Sequence, residues 1–164
     1  MDFQVGQNAV HCAYGPGMIT KLDEKEIAGK KAVYYVFEVK DLKIWIPVDE
    51  EKCTNLRKLT PALEFPKLFE ILSSRGETLS TDRNERKAQL SDSMKDGSLE
   101  SICGVIRDLS WQAKIKKLSE NDSALLERAQ DFLLAEWRAS LAVPLSQAEQ
   151  ELKSLLTISQ PVEA

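Results

Sequence analysis

The sequence holds one histidine and three cysteines, and no apolar run reaches the roughly 20 residues that span a bilayer. His11, set between Val10 and Cys12 in a strand-like stretch, has no second imidazole to join in a metal site, and nothing near it in sequence suggests a catalytic triad; a structural role is expected. Cys12, Cys53 and Cys103 are odd in number and far apart, which argues against a disulfide framework or a CxxC metal site and suits small buried hydrophobes. The opening residues, Met1-Asp2-Phe3-Gln4-Val5-Gly6-Gln7, lack the basic and apolar regions of a signal peptide, so a cytoplasmic protein without membrane contact is expected. Also missing are a glycine-rich phosphate loop, HExxH, GxSxG and a DxD-type metal loop. The dense carboxylate runs, Asp23-Glu24-Lys25-Glu26 and Asp49-Glu50-Glu51-Lys52, alternate or end with lysine and read as solvated faces rather than acid–base pairs. No enzyme, cofactor, metal or small-molecule substrate is expected; an enzymatic reading would need a site assembled from scattered residues.

An excess of positive charge is lacking too. Lysine and arginine number 22 against 26 acidic residues, a net charge of −4. Residues 1–60 carry nine of each sign, 61–142 carry twelve basic and fourteen acidic, and the remainder one and three. Nucleic-acid contact would therefore rest on a local cluster.

What is present divides in two. Hydrophobic residues at 43% and charged residues at 29% are ordinary for a globular chain. Across the first 60 residues, Asn8–Ala13, Gly17–Leu22, Ala32–Val39, Leu42–Val48 and Leu56-Arg57-Lys58 read as short strands, with turns at Tyr14-Gly15-Pro16-Gly17 and Ala28-Gly29-Lys30-Lys31. The near-continuous apolar run from Val33 to Val39 predicts a strand covered on both faces. Five such strands suit a small SH3-like or Tudor-like barrel.

Past Thr60 the period changes to that of helices. Helices are predicted over Pro61–Leu72 (bent or split at Pro66), Asp82–Lys95, Ser98–Lys117, from Ser119 to about Leu141, and Gln147–Leu156. Ser73–Ser80 reads as a loop. Ser119 with Asp122, and Ser146 with Glu149, form capping boxes, and Asp96-Gly97 is a stop. Leu99, Ile102, Ile106, Leu109 and Ala113 make one apolar stripe, and Leu126, Ala129, Leu133 and Trp137 another, predicting an antiparallel pair with Trp137 in the core. The fold class is α+β: a small barrel over 1–60, then an all-α domain over 61–164 with a frayed tail from 157.

Two features point to binding. In Lys43-Ile44-Trp45-Ile46-Pro47, inward isoleucines would turn Lys43 and Trp45 outward, and tryptophan is a frequent interface anchor. The opposite register, or cover from the helical domain, stands as the alternative. Trp111 falls opposite the Leu99/Ile106/Leu109 stripe beside Arg107 and Lys114, a platform for nucleic acid. Packing on a neighbouring helix is the favoured reading of Trp111. Arg83-Asn84-Glu85-Arg86-Lys87 and Lys114-Ile115-Lys116-Lys117 are the local basic clusters.

In order along the chain stand Phe3-Gln4-Val5-Gly6-Gln7, Val10-His11, Tyr14-Gly15-Pro16-Gly17 with Ile19, Ile27-Ala28-Gly29, Tyr34-Tyr35-Val36, Ile46-Pro47-Val48 and Leu56-Arg57. This set resembles the N-terminal module of the CarD family of bacterial regulators. Gly97, Val105-Ile106-Arg107-Asp108-Leu109 and Lys117-Leu118-Ser119 resemble its C-terminal domain, so the likeness covers about residues 1–142. The resemblance implies a Tudor-like module that docks on the N-terminal lobe of the RNA polymerase β subunit. It implies a helical domain held against promoter DNA at the upstream edge of the bubble, stabilising the open complex, with no cofactor. By position, Lys25, Ile27 and Trp45 would face polymerase, with Lys43 beside them. Arg83, Arg86 and Lys87 would face DNA, with Trp111 and Lys114 as further candidates. Two positions depart from the family. Its wedge tryptophan aligns with Arg83, which can enter a narrow minor groove but cannot wedge a base step, and a basic residue frequent after the Leu-Ser falls on Ser123. A protein-only adaptor, whose helices never touch DNA, is the alternative.

Overall fold

The strand-forming residues of the first part pair into one antiparallel sheet in the computed structural model, which describes residues 3–49 and 55–158. Cys53, the acidic residues 50–51 and the tail from 159 lie outside the described residues. The chain divides into two units, residues 1–59 and 60–164.

The first unit comprises β1 (Asn8–His11), β2 (Gly15–Ile27), β3 (Lys30–Val39), β4 (Leu42–Pro47) and β5 (Leu56–Lys58), in the order β4-β3-β2-β1-β5. Ala9, Ile19, Tyr35, Phe37, Val39, Ile46 and Leu56 bury one face, with Phe3 edge-on to Tyr35 at 5.6 Å between ring centres. A single sheet whose five strands all feed one core has to curl around it.

Two strand expectations need correction. β2 runs five residues past Leu22, through the charged run to Ile27, paired with β3 all the way to the turn. Ala28 and Gly29 both take positive φ, 53° and 78°, as a two-residue hairpin turn matched to the strand twist requires. β1 reaches only Met18, so the far end of this hairpin is a ribbon exposed on both faces, where charged side chains stay hydrated. For the same reason β3 is not covered throughout: only Tyr35-Val36-Phe37 is continuously buried, and Val33 is 43% exposed.

The second unit begins with a 3₁₀ turn (Ala62–Glu64), then α1 (Phe65–Ser73), α2 (Arg83–Asp96), α3 (Leu99–Ile115), α4 (Glu120–Leu141) and α5 (Leu145–Ile158). Pro66 sits in the first turn of α1, where its missing N–H has no partner to lose, and this divides the stretch from Pro61 into two helical pieces. Asp82 caps α2 by accepting the Asn84 and Glu85 N–H groups, and Gly97 ends it at φ 69°. Ser98 caps α3 through Ser101, and Ser119 caps α4 through Asp122, the latter as the sequence predicts. α5 starts two residues ahead of Gln147, because the Pro144 carbonyl, not the Ser146 side chain, receives the first N–H, from Ala148.

α3 and α4 pack along each other at the centre, with Leu99, Ile102, Ile106, Leu109, Ala129, Leu133 and Trp137 all buried. α1 packs on α3 and α5, and its Phe65 and Phe69 also lie beside the Trp137 ring of α4, at 6.2 and 4.8 Å. The α3 stripe ends at Leu109: Ala113 is exposed and lines an open groove of about 590 Å³ shared with α4 and α5. Among the described residues, no helix is long and apolar enough to cross a membrane.

Candidate functional site

Strand alternation builds the site on the sheet unit. Ile44 and Ile46 turn inward, so Lys43 and Trp45 turn outward. Lys21, Val36 and Trp45 form one cross-strand row, Asp23, Tyr34 and Pro47 the next, and Lys25 with Ala32 a third. Lys25, Ile27, Lys43 and Trp45 therefore share the outer face. Trp45 stands on β4, yet its Nε1 donates to Asp23 Oδ2 on β2 at 2.9 Å. The indole accordingly lies across β3, above the fully buried Val36. The Lys25 ammonium sits over the ring, 4.1 Å from its centre. Such a cation–π contact contributes about 0.5–1 kcal/mol at an exposed site. Two of the four residues are thus in direct contact, around an indole that remains 39% exposed. Ile27, 58% exposed, marks the tip of the ribbon, and Lys43 pairs with Glu38 across the adjacent strand at 3.6 Å. Asp23 is a member of this cluster that the sequence alone does not single out. Its signal is its parity with Lys25, which carries weight only once both are known to stand on one strand.

The helical unit treats its five candidates differently. Arg83 and Lys87 are exposed on the first turns of α2. Arg86, one position before Lys87, turns inward: its Nε donates to Asp122 Oδ2 at 2.9 Å and its Nη1 to the Ser80 carbonyl at 3.2 Å. Lys114 donates to the Leu156 carbonyl at 2.8 Å, near the end of α5, and desolvation there lowers its pKa below that of a free lysine.

Trp111 is not an open platform. It is 7% exposed, because the loop after α1 closes over it. A Cβ on Gly76 would stand 2.4 Å from the Trp111 Cβ, so only glycine permits this approach. The loop is strapped down by Asp108, which accepts the Glu77 N–H, and by Arg107, which donates to Ser74 Oγ. Arg75 stacks its guanidinium 5.2 Å from the ring centre. A helical wheel places Trp111 correctly opposite the α3 core but cannot show that a loop supplies the second cover. Among the described residues no group of three or more His, Cys, Asp or Glu could hold a metal.

Two family models match the chain in succession: the CarD-like/TRCF RID domain over residues 3–60 and the CarD C-terminal domain over residues 67–153. The chain belongs to the CarD family. A protein of Bacillus subtilis (strain 168) named "Putative transcription factor YdeB" is 28% identical over 154 residues, spanning 93% of this chain and 98% of its own length. The Lys25–Trp45 face of this CarD-family chain falls within the RID match, and all five helical candidates fall within the C-terminal match. The second match also takes in the first half of α5, which extends the likeness beyond the residue 142 reached from sequence motifs.

Proposed function

We propose that this CarD-family chain is a cytoplasmic transcription regulator that docks on the N-terminal lobe of the RNA polymerase β subunit through its Tudor-like sheet unit. The helical unit then acts on promoter DNA beside the upstream edge of the bubble and stabilises the open complex. The observation that carries this reading is the Asp23–Trp45–Lys25 cluster: an indole held in place by its own hydrogen bond and half open to solvent, within the RID match. An immobilised tryptophan loses little conformational entropy when a partner covers it, as hot-spot residues require. Lys25, Ile27 and Lys43 frame it on the same face.

On the helical side, Arg83 and Lys87 are the residues offered to phosphate, and Arg83 to the minor groove. A preference of about 1.4 kcal/mol for the open complex would raise its formation constant tenfold, so few contacts suffice. The test is binding of the full chain to the isolated β lobe beside Trp45→Ala. Tight binding by the wild type with at least a tenfold loss in the variant is expected; equal binding by both would remove this face from the interface.

A specific observation favours a second reading. Arg86 and Lys114 are bonded within the helical unit and Trp111 is covered, which leaves little basic surface for DNA. The helical unit would then recruit a protein. Titration of promoter DNA over several salt concentrations separates the two, since phosphate contacts give a steep slope and a protein recruiter none.

A further inference from the structure

Glu136 is fully buried on α4, a carboxylate within the helical bundle. Its Oε2 accepts the Thr60 N–H at 2.8 Å, and one turn further Ser140 Oγ donates to the Thr60 carbonyl at 2.6 Å. Both backbone groups of the residue that opens the second unit are therefore gripped by one face of one helix. The chain leaving Thr60 is stiff as well. A residue before proline is confined to extended conformations, Pro61 itself lies at φ −63° and ψ 147°, and the Glu64 N–H closes back on its carbonyl. From Thr60 onward the chain is fixed to the bundle, and since β5 ends at Lys58, Leu59 is the one residue between the last strand and this anchor.

An apolar residue at position 136 would avoid the desolvation of a carboxylate. Glutamate there gives the Thr60 N–H a side-chain acceptor that an apolar residue could not supply.

We propose that Glu136 and Ser140 are positioning residues that set the pivot between the two units at the Leu59–Thr60 junction, so that the helical unit is presented from a fixed point rather than from a slack linker. The pivot stands on the geometry alone, and its consequence for transcription rests on the polymerase reading above.

The test uses the full chain and backbone amide relaxation. In the wild type the Thr60 amide has the order parameter of α4, about 0.85, with the drop falling before it. Glu136→Leu and Ser140→Ala lower Thr60 below about 0.6, while Glu136→Gln, which keeps an acceptor, retains it. Ser140→Ala is the milder change should Glu136→Leu not fold. In open-complex assays at saturating protein, the loosened variants shorten the lifetime at least threefold and alter polymerase affinity less than twofold. A mobile Thr60 in the wild type, or variants that leave Thr60 rigid, would overturn the pivot. An unchanged open-complex lifetime would overturn its role in presentation. If the wild type binds no polymerase, the polymerase reading fails while the relaxation data still decide the pivot.

Discussion

Arg86 Nε and Asp122 Oδ2 lie 2.9 Å apart, with side chains only 15% and 13% exposed, so a shielded ion pair ties the first turns of α2 and α4. Breaking such a pair leaves one charge buried and uncompensated. Arg86→Ala is expected to lower stability by about 3 kcal/mol, and Asp122→Ala by a similar amount, whereas the double variant costs less than the sum. Urea unfolding of the four proteins measures the coupling. Additive losses would mean that the pair is solvated. Charge reversal at Arg83 or Lys87, both exposed, is expected to stay within about 0.5 kcal/mol, so a DNA effect should be sought at those two positions separately from Arg86.

Cys103 is fully buried, and desolvation, reinforced by Glu136, pushes its thiol up to about 12. At pH 8 its reactive thiolate is therefore scarce as well as inaccessible. Iodoacetamide labelling followed by mass spectrometry is expected to modify Cys12, which is partly exposed, within the native protein. Cys103 should react only at the rate of unfolding. Equal labelling of both would show that the α3–α4 interface opens locally.

His11 is 8% exposed, and desolvation lowers its pKa below the ordinary 6.5. The unfolded chain thus takes up this proton before the folded one does. The stabilisation is complete above about pH 6.5 and is lost as pH falls through 6.5 towards the folded value. Denaturation of the protein at pH 7.5 and 5.5 should show a loss for the sheet unit that His11→Gln diminishes. Stability rising on acidification through this range would contradict the burial of a neutral imidazole.

Gly76 presses against Trp111 so closely that a methyl group must move one of them. Gly76→Ala is expected to cost about 1–3 kcal/mol, the range for overpacking, and to lift the loop from α3. Acrylamide quenching reads this directly, with Trp45→Phe as the background, because Trp137 is fully buried and Trp45 half-exposed. Unaltered quenching of Trp111 would mean that the loop accommodates the methyl group in place.

Helix ends were legible because their signals are local. Asp82, Ser98 and Ser119 each accept an N–H within their own first turn, and Gly97 takes the left-handed conformation that ends α2. The orientation of Trp45 was legible once Ile44 and Ile46 were set inward, since alternation leaves no other face. What escaped the sequence depends on contacts distant along the chain. The run Asp23-Glu24-Lys25-Glu26 reads as a solvated face from its charges, and only the pairing of β3 with every residue of it shows how far β2 extends. Arg86 and Lys87 are adjacent cations, and the bonds of Arg86 to Asp122, 36 residues away, and to the Ser80 carbonyl distinguish the tethered one from the exposed one. Glu136 did carry a signal: with Ala129, Leu133 and Ser140 it falls at i, i+4, i+7 and i+11, an acid within an apolar stripe.

α2 spans fourteen residues and buries one of them, Leu90, with Met94 half-covered at its side. The remainder of its attachment is polar. Opening free energies within a fold follow the apolar contact that each element makes. The helix that presents Arg83 and Lys87 is thus the cheapest long segment of the bundle to release. Its amides should exchange before those of α3 and α4, giving the chain a yielding surface on a rigid frame.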